Sequence, residues 1–362
     1  MMNLSSLVAV TRAFEVQGRF RSANPYGSGH IHDTYCVTFD LDEREERILL
    51  QRMNTGIFKN PAVVVENFER VTSHLRSRIA GRADAERRVL RLIAARDGNL
   101  WHVDAQGDYW RAYWFIEGAN TYDEVSSAGQ AFEAARAFGG FQRQLADLPP
   151  PRLHESLPGF HDTARRFEVF ERAVGADAAG RRDLASGAIA FATSRRELAN
   201  ALAGAGLPER VTHNDTKLNN VLMDDATGEG ICVIDLDTVM PGLAAYDFGD
   251  MVRTMTCPAA EDEQQLSRVA MDFELFDAVL RGYLEGAGSF LTAPERASLI
   301  AGAKVIIFEQ GIRFLTDYLA GNTYYKVSRP EQNLDRSRTQ FTLLESIERQ
   351  EDEMTRLVRA LA

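Results

Sequence analysis

Apolar and polar positions along the first third of the chain follow the pattern of strands. The runs Ile31–Phe39 and Arg47–Met53 flank the charged turn Asp40–Glu46, and Leu100–Val103 with Tyr109–Ile116 flank Ala105-Gln106-Gly107-Asp108, so two hairpins are predicted. Between them Val64, Phe68, Val71 and Leu75 recur at helical spacing behind Pro61, a first-turn residue, which predicts a helix over Pro61–Arg78. Past residue 125 the period becomes helical. Phe132, Ala135, Phe138, Phe141 and Leu145 mark a helix over Ala131–Leu148 that Pro149-Pro150-Pro151 stops. Further helices are expected over Thr163–Val174, Arg182–Leu202, Glu261–Tyr283, Ala293–Leu319 and Arg336–Leu361. The pattern implies an α+β protein with a small β-rich N-terminal lobe, a larger mainly α-helical C-terminal lobe and no internal repeat.

Length and charge narrow the picture. A chain of 362 residues is long enough for two lobes. Acidic residues outnumber basic ones, 52 to 41, giving a net charge of -11 that disfavours nucleic acid and anionic membrane surfaces as partners. Cys36, Cys232 and Cys257 lie in or beside apolar runs, which suits a reducing compartment. The N-terminal apolar stretch Leu7–Val10 is short and lacks a cleavage site, and no segment reaches membrane-spanning length, so a cytoplasmic location is expected.

The stretch Val211–Asp237 carries the chemistry. Asp215 and Asn220 stand five residues apart in the order His-x-Asp-x-x-x-x-Asn, and Asp235 follows at the end of an apolar run. Val221–Met223 and Ile231–Ile234 read as a hairpin around a turn-rich connection, which returns Asp235 to the loop that bears Asp215. A hard cation such as Mg2+ takes one or two protein carboxylates and leaves its other positions to phosphate and water, a demand that Asn220 and Asp235 fit. Asp215 is then free to accept a hydroxyl proton, and Lys217 to neutralise a transferred phosphoryl group. The triplet Asp247-Phe248-Gly249 lies beyond the break at Pro241-Gly242 and too far from Asp215 to be the metal-binding triplet. Asp247 is expected to brace the catalytic loop as a buried acceptor. Ahead of the first hairpin, Tyr26, Gly27, Ser28 and Gly29 offer a turn whose backbone amides can close over nucleotide phosphates.

These motifs resemble the aminoglycoside phosphotransferase and choline kinase superfamily, the small-molecule branch of the protein-kinase-like fold. Asn24-Pro25-Tyr26-Gly27-Ser28-Gly29-His30-Ile31, Gln51-Arg52-Met53-Asn54-Thr55, Val211–Asn220 and Arg313-Phe314-Leu315 carry the resemblance, which is closest to the N-acetylhexosamine 1-kinases within that superfamily. The resemblance implies a bilobal kinase using ATP and Mg2+, with a nucleotide-binding lobe over 1–116, a hinge over 117–125 and a catalytic and substrate-binding lobe over 126–362. Phe115 and Glu117 would lie where the adenine is held.

One departure stands out. Where related kinases place a lysine on the third strand, this chain has Gln51 and Arg52, and alternation sends only one of them into the cleft. Glu69 on the following helix is a candidate partner for Arg52. For the acceptor, the resemblance implies that Arg313 and Tyr324 contact a sugar, with His32 approaching from the small lobe. Glu309, Arg313 and Asp317 also fit a plain ladder of ion pairs on a helix surface. The implied reaction is phosphorylation of the anomeric hydroxyl of an N-acetylhexosamine. Kinases of an aminoglycoside, choline or homoserine, and a catalytically silent nucleotide-binding regulator, are the competing expectations.

Overall fold

Alternation in the N-terminal strands sorts their residues onto two faces of a six-stranded sheet in the computed structural model, which describes residues 4–27, 29, 31–42 and 44–361. Helix α1 (Leu4–Thr11) precedes strands β1 (Arg19–Pro25), β2 (Asp33–Leu41) and β3 (Arg44–Arg52). After helices α2 (Pro61–Arg78) and α3 (Ala85–Arg88) come β4 (Leu92–Ile93), β5 (His102–Val103) and β6 (Tyr109–Trp114). The strands pair in the order β1-β2-β3-β6-β4, antiparallel throughout, with β5 also on β6. Val37, Ile48, Leu50, Trp110 and Ala112 bury one face against Leu7, Val10 and Phe14. Leu49, Gln51, Arg111 and Tyr113 occupy the other face and line the cleft. Helix α2 spans the residues its periodicity predicts, and its Phe68 packs against Tyr113.

The next strand, β7 (Ala119–Asn120), leaves this sheet and pairs with β9 (Val221–Asp224), which in turn pairs with β10 (Gly230–Val233). Strands β8 (Arg210–Thr212) and β11 (Met240–Gly242) form a separate two-stranded ribbon. The helical lobe consists of α4 (Ala128–Gln144), α5 (Thr163–Ala176), α6 (Ser186–Ser194), α7 (Ala244–Met255), α8 (Phe273–Ala287), α9 (Ala293–Ala297), α10 (Leu299–Leu319) and α11 (Gln332–Leu361). The arrangement is α+β and bilobal, as the hydrophobic pattern implies.

Helix α10 is buried nearly all round, which its largely apolar composition explains, and it packs on α5, α7 and α11. Its crossing with α7 is set by two glycines. A Cβ on Gly249 would collide with the carbonyl oxygen of Gly302, and a Cβ on Gly302 with that of Ala245. The glycine of the Asp-Phe-Gly triplet therefore serves helix packing.

Several helices differ from expectation at their ends: α4 begins at Ala128 and ends at Gln144, ahead of Pro149-Pro150-Pro151, and α11 begins at Gln332. The segment 182–202 contains only α6 and a short 3-10 turn over Arg196–Asn200. The helix expected from Glu261 begins at Phe273, because Asp272 accepts from the backbone N–H groups of Glu274 and Leu275 and caps it there. The segment 293–319 divides at Ser298 into α9, closed by a capping box between Thr292 and Glu295, and α10. Among the described residues no helix is long and apolar enough to cross a membrane.

Candidate active site

The ribbon β8–β11 delivers the chain to a loop, 213–217, in which α7 takes up the backbone donors. Asp247 accepts from the N–H groups of His213 (2.8 Å) and Asn214 (2.7 Å), and Asp250 from that of Thr216 (2.7 Å). Gln142 also donates to Asp247 (2.6 Å), and Tyr283 to Gln142 (2.7 Å), so the bracing acid is held from deep in the helical lobe. Asp247 is thus the buried acceptor that its position in the sequence suggests. His213 closes the loop from within: Nδ1 accepts from the Asp215 N–H (3.3 Å), which leaves Nε2 to donate to the Ile234 carbonyl (2.9 Å).

Past a 3-10 turn at Leu218–Asn220, the β9–β10 hairpin forms as its turn chemistry predicts. The Ile234 N–H donates to the Asn220 carbonyl (2.9 Å) and pins Asp235 beside the catalytic loop. Asn220 Nδ2 donates to the carbonyl (2.8 Å) and Oδ2 (3.0 Å) of Asp215, and Lys217 Nζ lies 3.0 Å from the same Oδ2. Burial pushes the Asp215 carboxyl up, but the Lys217 charge leads the groups that outweigh it, and its pKa ends below the ordinary value. Asp235 goes the other way, raised by burial and by the charges of Asp237 and Asp215. Its backbone is in the left-handed region, φ 58°, a conformation that non-glycine residues rarely adopt.

The donor set suits a hard cation. Among the described residues no hydrogen bond or ion pair reaches the Asp235 carboxylate, and Asn220 directs its amide nitrogen at Asp215, leaving Oδ1 as an oxygen donor. Two oxygen ligands of this kind fit Mg2+ that keeps further positions for phosphate.

Above these groups the cleft is lined by Tyr26, Gly27, Gly29, Gln51, Arg111 and Tyr113, and toward β7 by Phe115, Ile116 and Thr121. Ser28 and His30 lie outside the described residues. The Tyr26 ring meets Phe115 edge-on at 5.5 Å. The Glu117 carboxylate turns outward to Arg47 (2.8 Å), and the Glu117 and Gly118 carbonyls accept from Arg87 (3.0 and 2.8 Å).

The small-lobe pairing differs from expectation. Gln51 faces the cleft. Arg52 shares the opposite face with Ile48 and Leu50, and its guanidinium pairs with Asp33 (2.9 Å) and Asp108 (2.9 Å). No Arg52–Glu69 pair forms, because β3 turns Arg52 away from α2, and Glu69 bonds along its own helix to Arg76 (3.0 Å). The cation that the small lobe brings to the cleft is Arg111, 2% exposed, with Nη1 2.5 Å from Asp237 Oδ1. His32 also borders the cleft, with both ring nitrogens engaged. Its Nδ1 accepts from the Asn54 N–H (2.9 Å), its Nε2 donates to Asp237 Oδ2 (2.6 Å), and its ring stacks on Phe58. Sequence reasoning missed Arg111 and Asp237. The signal was there in Tyr109-Trp110-Arg111-Ala112-Tyr113-Trp114, one charge in an otherwise aromatic and apolar strand.

On the acceptor side Glu309, Arg313 and Asp317 do not form an ion-pair ladder. Glu309 is bound by His161 (2.9 Å) and Thr163 (2.6 Å), and Asp317 accepts the backbone N–H groups of Thr323, Tyr324 and Tyr325. Arg313 donates to Gln310 (3.0 Å) and lies over the rings of Phe160 (5.4 Å) and Tyr325 (5.9 Å). Among the described residues no carboxylate comes within ion-pair distance of it. The ring beside Arg313 is that of Tyr325; Tyr324 is 62% exposed and meets Tyr325 edge-on. Tyr324, the residue the motif named, stands in the same loop, which Asp317 holds through the backbone N–H groups of Thr323, Tyr324 and Tyr325.

The phosphotransferase enzyme family pattern matches residues 22–288, about three quarters of the chain. Among solved structures, that of a microcompartment-associated aminopropanol kinase superposes with a TM-score of 0.60 at 17% identity, covering 98% of this chain and 99% of that one. A choline kinase from Cryptosporidium parvum Iowa II gives 0.58 at 14%, with 99% of each chain covered. A spectinomycin phosphotransferase in complex with ADP and spectinomycin gives 0.57 at 11%, covering 100% and 98%. At these identities the structures establish the kinase-like fold, and the family pattern, over most of the chain, establishes membership: the chain belongs to the phosphotransferase enzyme family.

Proposed function

We propose that the protein is an ATP- and Mg2+-dependent kinase that phosphorylates the anomeric hydroxyl of an N-acetylhexosamine. The observation that carries the acceptor class is Arg313, a cation on the acceptor side with Glu309 and Asp317 both engaged elsewhere. Arg166 adds to the field there: its pKa is lowered by burial and by the charge of Arg313. A cationic acceptor such as choline, an amino alcohol or an aminoglycoside would meet this field, whereas a neutral sugar presents hydroxyl and acyl oxygens to the planar guanidinium donors. Phe160 and Tyr325 supply ring faces for the apolar side of a pyranose.

Asp215, ionised at neutral pH, orients the acceptor hydroxyl and takes its proton as the oxygen–phosphorus bond forms and the bond to ADP breaks. Lys217 fixes the Asp215 carboxylate and offers its charge to the group in flight. Asn220 and Asp235 would hold Mg2+, which when bound neutralises phosphate oxygens and orients them for in-line transfer. His213, Asp247 and Asp250 keep the loop in place, so catalysis draws on prior positioning. The test is a coupled ADP-release screen over N-acetylhexosamines, free hexoses, choline, homoserine and an aminoglycoside, with phosphorus NMR of the product. Turnover of N-acetylhexosamines with phosphate on the anomeric carbon is expected. Turnover of the amines alone would overturn the acceptor assignment and leave the phosphotransferase chemistry standing.

A further inference from the structure

Gln51 and Arg111 stand opposite each other on neighbouring strands, and both border the cleft. Arg111 Nη1 donates to Asp237 Oδ1 (2.5 Å), while Nε (2.9 Å) and Nη2 (2.5 Å) donate to Gln51 Oε1. A guanidinium carries five N–H groups in a rigid fork. With three so engaged, two remain on a buried cation that lines the same cleft as Lys217 and Asp235. Donors of this kind in a sheltered, charged setting favour phosphate oxygens. We propose that Arg111 is the small-lobe residue that grips the phosphates of the nucleotide, with Gln51 and Asp237 as its positioning residues. The proposal rests on the phosphoryl-transfer reading above.

The surrounding residues leave this task to Arg111. The cleft-facing position of β3 is the neutral Gln51, Arg52 faces away, and Glu69 is engaged on its own helix. The anion that steadies Arg111 comes instead from the large lobe, two residues beyond Asp235, and is held on its other oxygen by His32. The Arg111–Asp237 pair therefore spans the lobes. It ties the height of the phosphate-gripping cation to the loop that presents Asp235, a coupling that a pair formed wholly within the small lobe does not provide.

Removing Arg111 outright would strand Asp237 as a buried, half-paired carboxylate, so the informative variant is Arg111→Lys, which keeps the charge and loses the fork. Calorimetric titration of the full chain with Mg2+ and a non-hydrolysable ATP analogue, and separately with adenosine, reads the phosphate contribution without turnover. The analogue is expected to bind on the order of tenfold more weakly to the variant, with the adenosine Kd held within about twofold. A second variant, Gln51→Lys with Arg111→Gln, moves the cation one strand over and is expected to bind the analogue more tightly than Arg111→Gln alone. Melting curves accompany each variant to show that it is folded. Parallel losses for analogue and adenosine, or an unchanged analogue Kd in Arg111→Lys, would overturn the assignment. Wild-type protein that bound neither ligand would instead defeat the phosphoryl-transfer reading itself.

Discussion

The loop 213–220 and the surroundings of Arg313, proposed above as catalytic loop and acceptor wall, are built by opposite means. In 213–220 the polar groups are tied by short, directional hydrogen bonds to α7 and the β9–β10 hairpin, and α4 braces α7 in turn through Gln142. At the acceptor wall Arg313 has one side-chain hydrogen bond and otherwise rests on the rings of Phe160 and Tyr325. The loop comes from one stretch of chain, whereas the wall is assembled from residues near 160, 313 and 325. Chemistry is thereby fixed locally, while recognition is spread over side chains that can change without disturbing the loop.

Four substitutions and one titration probe this difference. Asp215→Asn is expected to cut kcat by about 10^3-fold or more while leaving the melting temperature near that of wild type, read by ADP release and thermal unfolding. Asp247→Ala should act on the scaffold: two backbone donors and Gln142 lose their buried acceptor, at a cost of roughly 3 kcal/mol or more in urea unfolding, with activity falling in step. If Asp247→Ala left stability unchanged, the contrast between a bonded loop and a loosely held wall would collapse.

Arg313→Ala addresses the other region. A loss of on the order of 10- to 100-fold in kcat/KM for the sugar is expected, with nucleotide affinity and melting temperature little changed. Smaller still, Tyr324→Ala should alter kcat/KM by less than about threefold, and less than Tyr325→Ala does, because the exposed ring has the weaker claim on Arg313.

The titration concerns Glu309, which anchors α10 behind the wall. Burial raises its pKa, but His161 and then Arg313 outweigh burial and the net shift is downward from 4.5. A depressed carboxylate contributes stability that is present above pH 4.5 and is lost as the pH falls through the lowered value. The melting temperature of wild type should therefore fall more steeply below pH 4.5 than that of Glu309→Gln, measured by calorimetry in matched buffers.

What was legible in the sequence follows the same division. The spacing of Asp215 and Asn220 and the hairpin that leads to Asp235 depend on near neighbours, and local turn chemistry encodes them; Asp247 was placed only by its distance along the chain from Asp215. Helix α2 was legible for a similar reason, with Pro61 at its start and a clean apolar face. Arg111 and Asp237 are 126 positions apart, and their pairing exists only once β6 is set beside β3 and the lobes meet. Alternation narrowed the choice to Gln51 or Arg52, but the facing element was needed to choose between them. Tyr325 stands beside Arg313 in a loop where Asp317 gathers three successive backbone amides, and no periodicity reports such a loop.

The contact between Gly249 and Gly302 has a mechanical consequence. Helix α7 carries the two acids that hold the base loop, helix α10 carries Arg313, and backbone meets backbone where they cross. With backbone against backbone at that point, no side chain there can compress or rotate to absorb a shift, so bulk introduced at either glycine is expected to alter the spacing of Asp215 and Arg313 far from both residues. On the acceptor reading proposed above, that spacing would gauge the length of the alcohol able to reach the carboxylate and the guanidinium together.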